Sequence, residues 1–587
     1  MDGQARLPDL MHPCLNLDEI VRRIARELVT PEARASAVAL ALCQKSFEDP
    51  VLDVLWETQE RLLPLRKCFP EDVWNEVGSV VSRADNGLFP FLNHLIWKTF
   101  KRLPTALEWA RFRKYTQRMR GIGGFFLERF LSDEAISVLE LYAAKEPFFP
   151  NMRVLDLLPC GKDIPLIRLF LSPRTTTVRM GFREPDICNE MVVSMITALQ
   201  TLCPNLQDIT LHPIQRYPII TAAVSALLLT SNRDTLRCFR VDSPLTEEAR
   251  EVIYTHTNLR RLWAVIEGAT SLPTLVLPNL TELDIEYTGH DHGWLQGFRG
   301  ATFGRLASIG VHPKHKPIGD FLKAFESAAL TASIQDSLSR FCLHTSYSWN
   351  PNYSSLLPFT RLTYLVIGSS CDDGCSSTVD DNIILDLARA MPKLETLQLG
   401  GKPCREPRTG VTVKGFAVLA HYCPDLSILG IHFQVASLST PPAISGLTSS
   451  AGSTTQRRDC ALEELDVGEM LVPEESILTV ALTLAHIFPR IECITSDDFY
   501  YNWEKVVDAI CTSREIVDYP SEENPFLESF GTNLVIPPQD PYLKTVVNLG
   551  ATVGRPRSGS TFGTFNPHPG DHPTSLLLSG GSNFSVA

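Results

Sequence analysis

Long apolar runs are missing from this 587-residue chain. The longest, IITAAVSALLLT at 219–230, is too short and too interrupted to span a bilayer. The opening MDGQARLPDL lacks the apolar core of a signal peptide. Basic charge is not in excess either. A formal net charge of −13 argues against a general nucleic-acid or membrane-surface binder; it favours solubility and leaves the fold open. Fifteen cysteines are present but show no paired spacing. Without an export signal they are expected to be reduced thiols in a cytosolic and/or nuclear protein. Asn-x-Ser/Thr sites such as Asn279-Leu280-Thr281 then carry no glycosylation.

Catalytic motifs are missing as well. No phosphate-binding G-x-x-x-x-G-K-[ST] loop occurs: Gly400-Gly401-Lys402 is followed by Pro403, so the hydroxyl that would ligand magnesium is absent. There is no G-x-S-x-G elbow and no H-E-x-x-H pair. Cys371 and Cys375 flank an acidic loop without the second pair a zinc site needs, so they read as two loop thiols. His290-Asp291-His292 likewise lacks a further ligand set and reads as a loop between elements. No catalytic residue, metal or cofactor is expected. Trp263, Trp294 and Trp349 lie near strand ends or the loops after them, where they serve either packing or a binding surface.

What is present is a repeat. From about residue 148 the pattern apolar-x-x-apolar-x-apolar recurs, often after Pro-x: FPNMRVLDL, CPNLQDITL, LPNLTELDI, MPKLETLQL, CPDLSILGI and FPRIECIT, with weaker copies between. Aligning the fourth core position gives Leu155, Ile209, Phe239, Leu262, Leu283, Ile309, Phe341, Leu365, Leu397, Leu429, Leu465 and Ile494. The gap of 54 between Leu155 and Ile209 splits into 23 and 31 if TTTVRMGF contributes Val178 as a degenerate copy. A period in this range signals a solenoid. In each copy the last two apolar residues fall on one side of a short strand. Helical stretches lie between the strands: NEMVVSMITALQTL, TEEAREVIYTHT, DFLKAFESAAL, DNIILDLARAM, VKGFAVLAHY and ILTVALTLAHIF. Several stop just before a proline, which cannot continue a helix. No single unit can bury its apolar face alone, but stacked neighbours can. The expectation is an irregular leucine-rich-repeat solenoid over 148–518, with a parallel sheet on its concave side and helices on its convex side. The asparagine often found after the strand is mostly missing, with Cys160 as the one substitute.

Ahead of the array, residues 12–58 read as three short helices. Ile20, Ile24 and Leu28 recur every four residues; Ala37, Val38, Leu40, Ala41 and Leu42 form a second stripe; EDPVLDVLWE ends in Leu55-Trp56. So small a unit is marginal alone and suits a docking element. It resembles the F-box, the three-helix module that binds the Skp-type adaptor of a cullin ubiquitin ligase. Glu19-Ile20, Ile24, Leu28, the Leu42–Phe47 segment and Leu55-Trp56 match that outline, while Asn16-Leu17 stand where a Leu-Pro pair is expected and His12-Pro13 lie just upstream. The resemblance implies adaptor contacts from Pro13, Leu15, Leu17, Ile20, Ile24, Leu28, Leu42, Phe47, Leu55 and Trp56. A plain helical cap on the array is the other reading.

Residues 59–147 are expected to be a helical linker. In LPTALEWARFRKYTQRMRG, Trp109, Phe112, Thr116 and Met119 share one helix side, with Arg111, Lys114 and Arg118 on another as a solvated face. PEDVW and RFRKYTQRMR are similar to the connecting region of the large F-box families of mushroom-forming fungi. Residues 1–11 are read as a tail. The stretch 435–461, rich in Ser, Thr, Gly and Pro, is expected as a disordered insertion, and 519–587 as a mostly disordered tail in which Arg555-Pro556-Arg557-Ser558 is a weak phosphorylation candidate. The fold class is therefore α/β: F-box-like helices, helical linker, repeat solenoid. The resemblance implies the substrate-recognition subunit of an SCF-type ligase, with an unknown protein substrate and no nucleic-acid or membrane partner. A leucine-rich-repeat interaction scaffold without a ligase connection is the alternative.

Overall fold

The computed structural model describes residues 17–30, 33–60, 63–80, 95–124, 132–143, 147–157, 164–182, 189–212, 216–230, 234–267, 274–289, 293–315, 321–345, 351–369, 379–400, 410–438, 460–468, 470–496 and 502–518. Three helices come first: α1 (Asp18–Leu28), α2 (Arg34–Cys43) and α3 (Lys45–Glu57). They share a small core of their own, in which Val21 and Ala25 of α1 meet Ala37 and Ala41 of α2 and Phe47, Val51, Val54 and Leu55 of α3.

The chain then enters the sheet earlier than its repeats announce. Strand β1 (Thr58–Gln59) follows α3 directly; α4 (Leu63–Arg66), β2 (Trp74–Val80), β3 (Leu95–Phe100), α5 (Ala106–Thr116), β4 (Gly121–Gly124) and α6 (Asp133–Ala143) complete the region before the first motif. β2 and β3 pair antiparallel as a separate two-stranded sheet, and β1 pairs parallel with β4. The expected helical linker over 59–147 is thus corrected: it carries four strands or strand parts beside its helices. Composition hides β4 in particular, because its Gly-Ile-Gly-Gly offers only Ile122 as an apolar position.

From there strands and helices alternate through β5 (Val154–Leu157), α7 (Ile164–Ile167), β6 (Thr177–Gly181), α8 (Asn189–Leu202), β7 (Asp208–His212), α9 (Pro218–Thr230), β8 (Cys238–Pro244), α10 (Glu247–Tyr254), β9 (Arg261–Ile266), β10 (Glu282–Tyr287), β11 (Ser308–Pro313), α11 (Phe321–Thr331), β12 (Arg340–Thr345), β13 (Tyr364–Ser369), α12 (Asp381–Ala390), β14 (Thr396–Leu399), α13 (Val413–Tyr422), β15 (Ile428–Ile431), α14 (Val435–Leu438), β16 (Glu464–Gly468), α15 (Ile477–Ile487), β17 (Cys493–Ser496) and α16 (Trp503–Asp518). Short 3₁₀ turns such as Gly293–Phe298 and Tyr353–Leu356 stand where some repeats have no α-helix. Among the described residues, β1 and β4 to β17 make one parallel sheet of 15 strands in sequence order. The aligned apolar positions are direct neighbours across it: Leu155, Val178, Ile209, Phe239, Leu262, Leu283 and Ile309 in one run, and Phe341, Leu365, Leu397, Leu429, Leu465 and Ile494 in continuation. Val178 therefore holds a true repeat position, and Ile122 pairs with Leu155 to extend the row backwards.

One face of the sheet is covered by helices. In β10, Leu283, Ile285 and Tyr287 are buried beneath them, while Glu282 and Asp284 point to the other side. The missing loop asparagine has a counterpart at the opposite end of the repeat. In the Pro-Asn or Thr-Asn turns that precede several strands, Asn151, Asn205, Asn258 and Asn279 donate their amide N–H to the carbonyls of Gln117, Pro173, Asp234 and Thr257 in the preceding repeat, at 2.6, 3.1, 3.2 and 2.9 Å. Such bonds satisfy carbonyls that the turns leave open. Further on, the buried Cys423 and Cys460 thiols do this work, reaching the Met391 and Cys423 carbonyls at 3.7 and 3.6 Å. Cys160, the position expected to replace the asparagine, lies outside the described residues. The insertion expected at 435–461 is narrower than its composition suggests: α14 places Leu438 in the core and Cys460 is buried, so both edges belong to the array. Residues 439–459, 519–587 and 1–16 lie outside the described residues.

Candidate functional site

Two surfaces qualify. The first is on the N-terminal helices. Because Val21 and Ala25 take the inner side of α1, the apolar residues at 17, 20 and 24 form an outward stripe at helical spacing. Leu17 is 58% and Ile24 37% exposed, and Ile20 is half-buried. On α2, Val38 and Leu42 are 46% and 81% exposed one turn apart. Leu28 is half-buried against the three-helix core. Phe47 and Leu55, expected on the contact surface, are instead interior at 5% and 6% exposure. They are corrected to core residues, since they close the gap between α1, α2 and α3. Trp56 is half-buried and turned to the array, its ring 4.7 Å from that of Tyr115. Pro13 and Leu15 lie outside the described residues.

The same unit is tied to α5 and the residues just after it. Lys114 and Arg118, read from the sequence as a solvated basic face, pair with acids of α3: Lys114 with Glu48 at 3.4 Å, and Arg118 with Asp49 and Asp53. Arg22 of α1 reaches Asp53 at 3.0 Å. The basic excess thus has a structural use. Trp109, Phe112, Thr116 and Met119 are buried on the other side, as their spacing predicts.

The second surface is the open face of the sheet, formed by the middle x of each apolar-x-apolar core. Across β5 to β12 the direct neighbours are Asp156, Arg179, Thr210, Arg240, Trp263, Asp284, Gly310 and Cys342. Trp263 is half-buried here; the Arg240 guanidinium sits 4.6 Å from its ring centre, and the His312 ring stacks on it at 4.8 Å. His344 continues the stack at 5.4 Å from His312, and its Nε2 lies 3.0 Å from the Cys342 Sγ. Burial, then the neighbouring His344 and Lys314 charges, pull His312 down to about 4. Burial raises the Cys342 thiol to about 11, with Asp284 adding to it, which keeps the sulfur protonated and a poor nucleophile. Arg216 bridges Asp242 at 2.9 Å and Glu286, and Lys314 holds Glu286 at 3.2 Å. Beyond Cys342 the same row turns neutral, through Val366, Gln398 and Gly430.

The residues of this face stand in plain sight within the repeats, but an alignment on the apolar positions leaves the variable x between them unread. Of the tryptophans, Trp263 is on this face; Trp294 is 2% exposed, packed among Tyr287, Phe298 and Phe321. Trp349, Cys371, Cys375 and the 290–292 segment lie outside the described residues. Among the described residues no three His, Cys, Asp or Glu side chains converge as a metal site, every cysteine is unpaired, and no helix is long and apolar enough to cross a membrane. An aromatic cavity between β2, β3 and the array, lined by Phe69, Trp74, Phe100, Phe112, Phe148 and Phe170, has a volume of about 40 Å³. That is room for about three waters, far less than a ligand needs.

No family model matches the chain, and no curated protein matches it. Among solved structures it is similar to the crystal structure of the Rad7 and Elc1 complex from yeast, at 15% identity over 50% of this chain and 80% of that chain, with a TM-score of 0.29.

Proposed function

We propose that this chain is the substrate-recognition subunit of an SCF-type cullin ubiquitin ligase. Its N-terminal helices would bind a Skp-type adaptor, and its repeat array a protein target. The observation that carries the reading is the exposed apolar stripe of Leu17 and Ile24, together with Val38 and Leu42, on helices whose other side is a closed core. A helix pair that merely capped the array would turn its large apolar groups towards the array; these point away from their own core into solvent. Of these, Ile24 and Leu42 are residues that match the F-box outline in sequence, while Leu17 stands where that outline expects a Leu-Pro pair. In this reading the chain has no catalytic residue. It raises the effective concentration of a bound target beside a conjugating enzyme.

The test is a pull-down of the full chain with the purified Skp-type adaptor of the same organism. Capture by wild type, lost on replacing Ile20 and Ile24 with Glu while the far-UV circular dichroism and melting temperature hold, supports the proposal. A folded chain that fails to capture the adaptor overturns it and leaves an interaction scaffold.

A further inference from the structure

The cations of the open sheet face divide into two groups. Arg179 and Arg261 are both held by Asp208, at 2.9 and 3.1 Å. Arg216 is held by Asp242 and Glu286, and Lys314 by Glu286. Arg240 and Arg340 are different. Both are exposed, and among the described residues neither has a carboxylate within 4 Å or a hydrogen-bonded partner. Each is instead laid on a ring, Arg240 at 4.6 Å from the Trp263 centre and Arg340 at 4.5 Å from that of Tyr364. Stacking restrains a guanidinium while leaving the N–H groups along its edge unused, so little side-chain entropy remains to be lost when an oxyanion arrives. In a chain of net charge −13, two ordered arginines on one face with no carboxylate in contact among the described residues are a specific feature.

We propose that this face recognises an extended acidic segment of a target protein, with Asp or Glu carboxylates engaging Arg240 and Arg340. The spacing sets a further condition. The two arginines stand four strands apart, on β8 and β12. At about 4.8 Å per strand that is about 19 Å, or about six residues of extended chain crossing the strands. Between them lies Asp284, half-buried over Gly310 and without a hydrogen bond among the described residues. It lies within electrostatic reach of both arginines and offsets part of their charge, so the face keeps only a modest positive field, which single carboxylates are enough to answer. The proposal deepens the function proposed above by naming the target's chemistry; it shares with that reading only the premise that the array binds a protein.

The experiment is fluorescence anisotropy at low salt with the full chain and three fluorescein-labelled twelve-residue peptides. One carries Glu at two sites six residues apart in a Gly-Ser background, one Lys at those sites, and one phosphoserine. The Glu peptide is expected to bind at least about tenfold more tightly than the Lys peptide and more tightly than the phosphoserine peptide. R240Q and R340Q should each weaken it about tenfold at unchanged melting temperature, in line with losing one charge-assisted contact. D284N should tighten it. Equal binding of the Glu and Lys peptides, no effect of either arginine change, or weaker binding in D284N each overturns the proposal. Tighter binding of the phosphoserine peptide overturns the choice of carboxylate. Adaptor capture run on the same preparations separates this outcome from the ligase reading, since R240Q and R340Q lie far from α1 and α2 in sequence and sheet order.

Discussion

The backbone N–H of Arg120 donates to the carbonyl of Glu57 at 2.8 Å. That bond joins the end of α3 to the strand that heads the array, and the Thr58–Gly121 and Gln59–Ile122 pairs extend it. Arg120 also pairs with Glu57 through its side chain at 3.1 Å, and Arg118, 12% exposed, pairs with Asp49 and Asp53. The N-terminal helices therefore continue into the sheet and do not hang on a tether. A partner bound to α1 and α2, as proposed above, would be placed at a set distance from the open face.

Arg118→Ala should loosen this joint. Loss of its charged hydrogen bonds is expected to cost about 1–3 kcal/mol. Hydrogen exchange at the Arg120 and Ile122 amides should quicken while that in β13 and β14 stays slow. Unchanged exchange at Arg120 would mean that the strand pairing alone holds the unit.

The division between surface and core on the N-terminal helices is testable by unfolding. Phe47→Ala should cost about 3–5 kcal/mol, because the ring is enclosed by all three helices. Leu42→Ala should change stability by no more than about 0.5 kcal/mol, its side chain being 81% exposed. Urea titrations that rank the two the other way would reverse the assignment of which side is the core.

Within the array, Leu365→Ala should cost about 2–5 kcal/mol, since Leu365 is fully buried in the row between Phe341 and Leu397. Repeats are coupled mainly to their neighbours. Exchange should accordingly rise in β12 and β14 and stay unchanged in β6. A uniform rise throughout would show that the array unfolds as a single unit.

Acid should destabilise the fold through the stacked histidines. His312 is held at about 4 against an ordinary 6.5, chiefly by burial, and burial lowers His344 and His432 too. A histidine kept neutral in the folded state binds fewer protons than in the unfolded chain. Its contribution is whole above pH 6.5 and is lost as pH falls towards 4, by at most about 3 kcal/mol for His312. Melting temperatures recorded across that window should drop for wild type, and less steeply for His312→Gln. Equal slopes would place the acid sensitivity elsewhere.

Some of this is legible in the residues alone. The apolar-x-x-apolar-x-apolar spacing sets a strand side and a strand entry wherever it occurs, so the whole row from Leu155 to Ile494 can be aligned without coordinates, including the degenerate Val178. Helices α8, α12 and α13 are readable for the same reason, each a periodic run closed by Met-Pro or Cys-Pro. Strand β4 is not, because three glycines and one isoleucine carry no period; only its hydrogen bonds to β1 and β5 make it a strand.

By itself, then, the sequence determined the local periodicities: which residues face a core, where helices stop, and that the units must stack to bury their apolar sides. Stacking decided the rest. Whether Arg118 is a solvated charge or a clasp depends on Asp49 and Asp53, which lie 69 and 65 residues away in the chain. That Arg240 has no carboxylate in contact among the described residues, while Arg216 is paired with Asp242 and Glu286, depends on which strands bring carboxylates within reach. Periodicity acts over a turn or two of chain, whereas charge pairing and ring stacking on the open face act between repeats, and only the register of the assembled sheet brings those groups together.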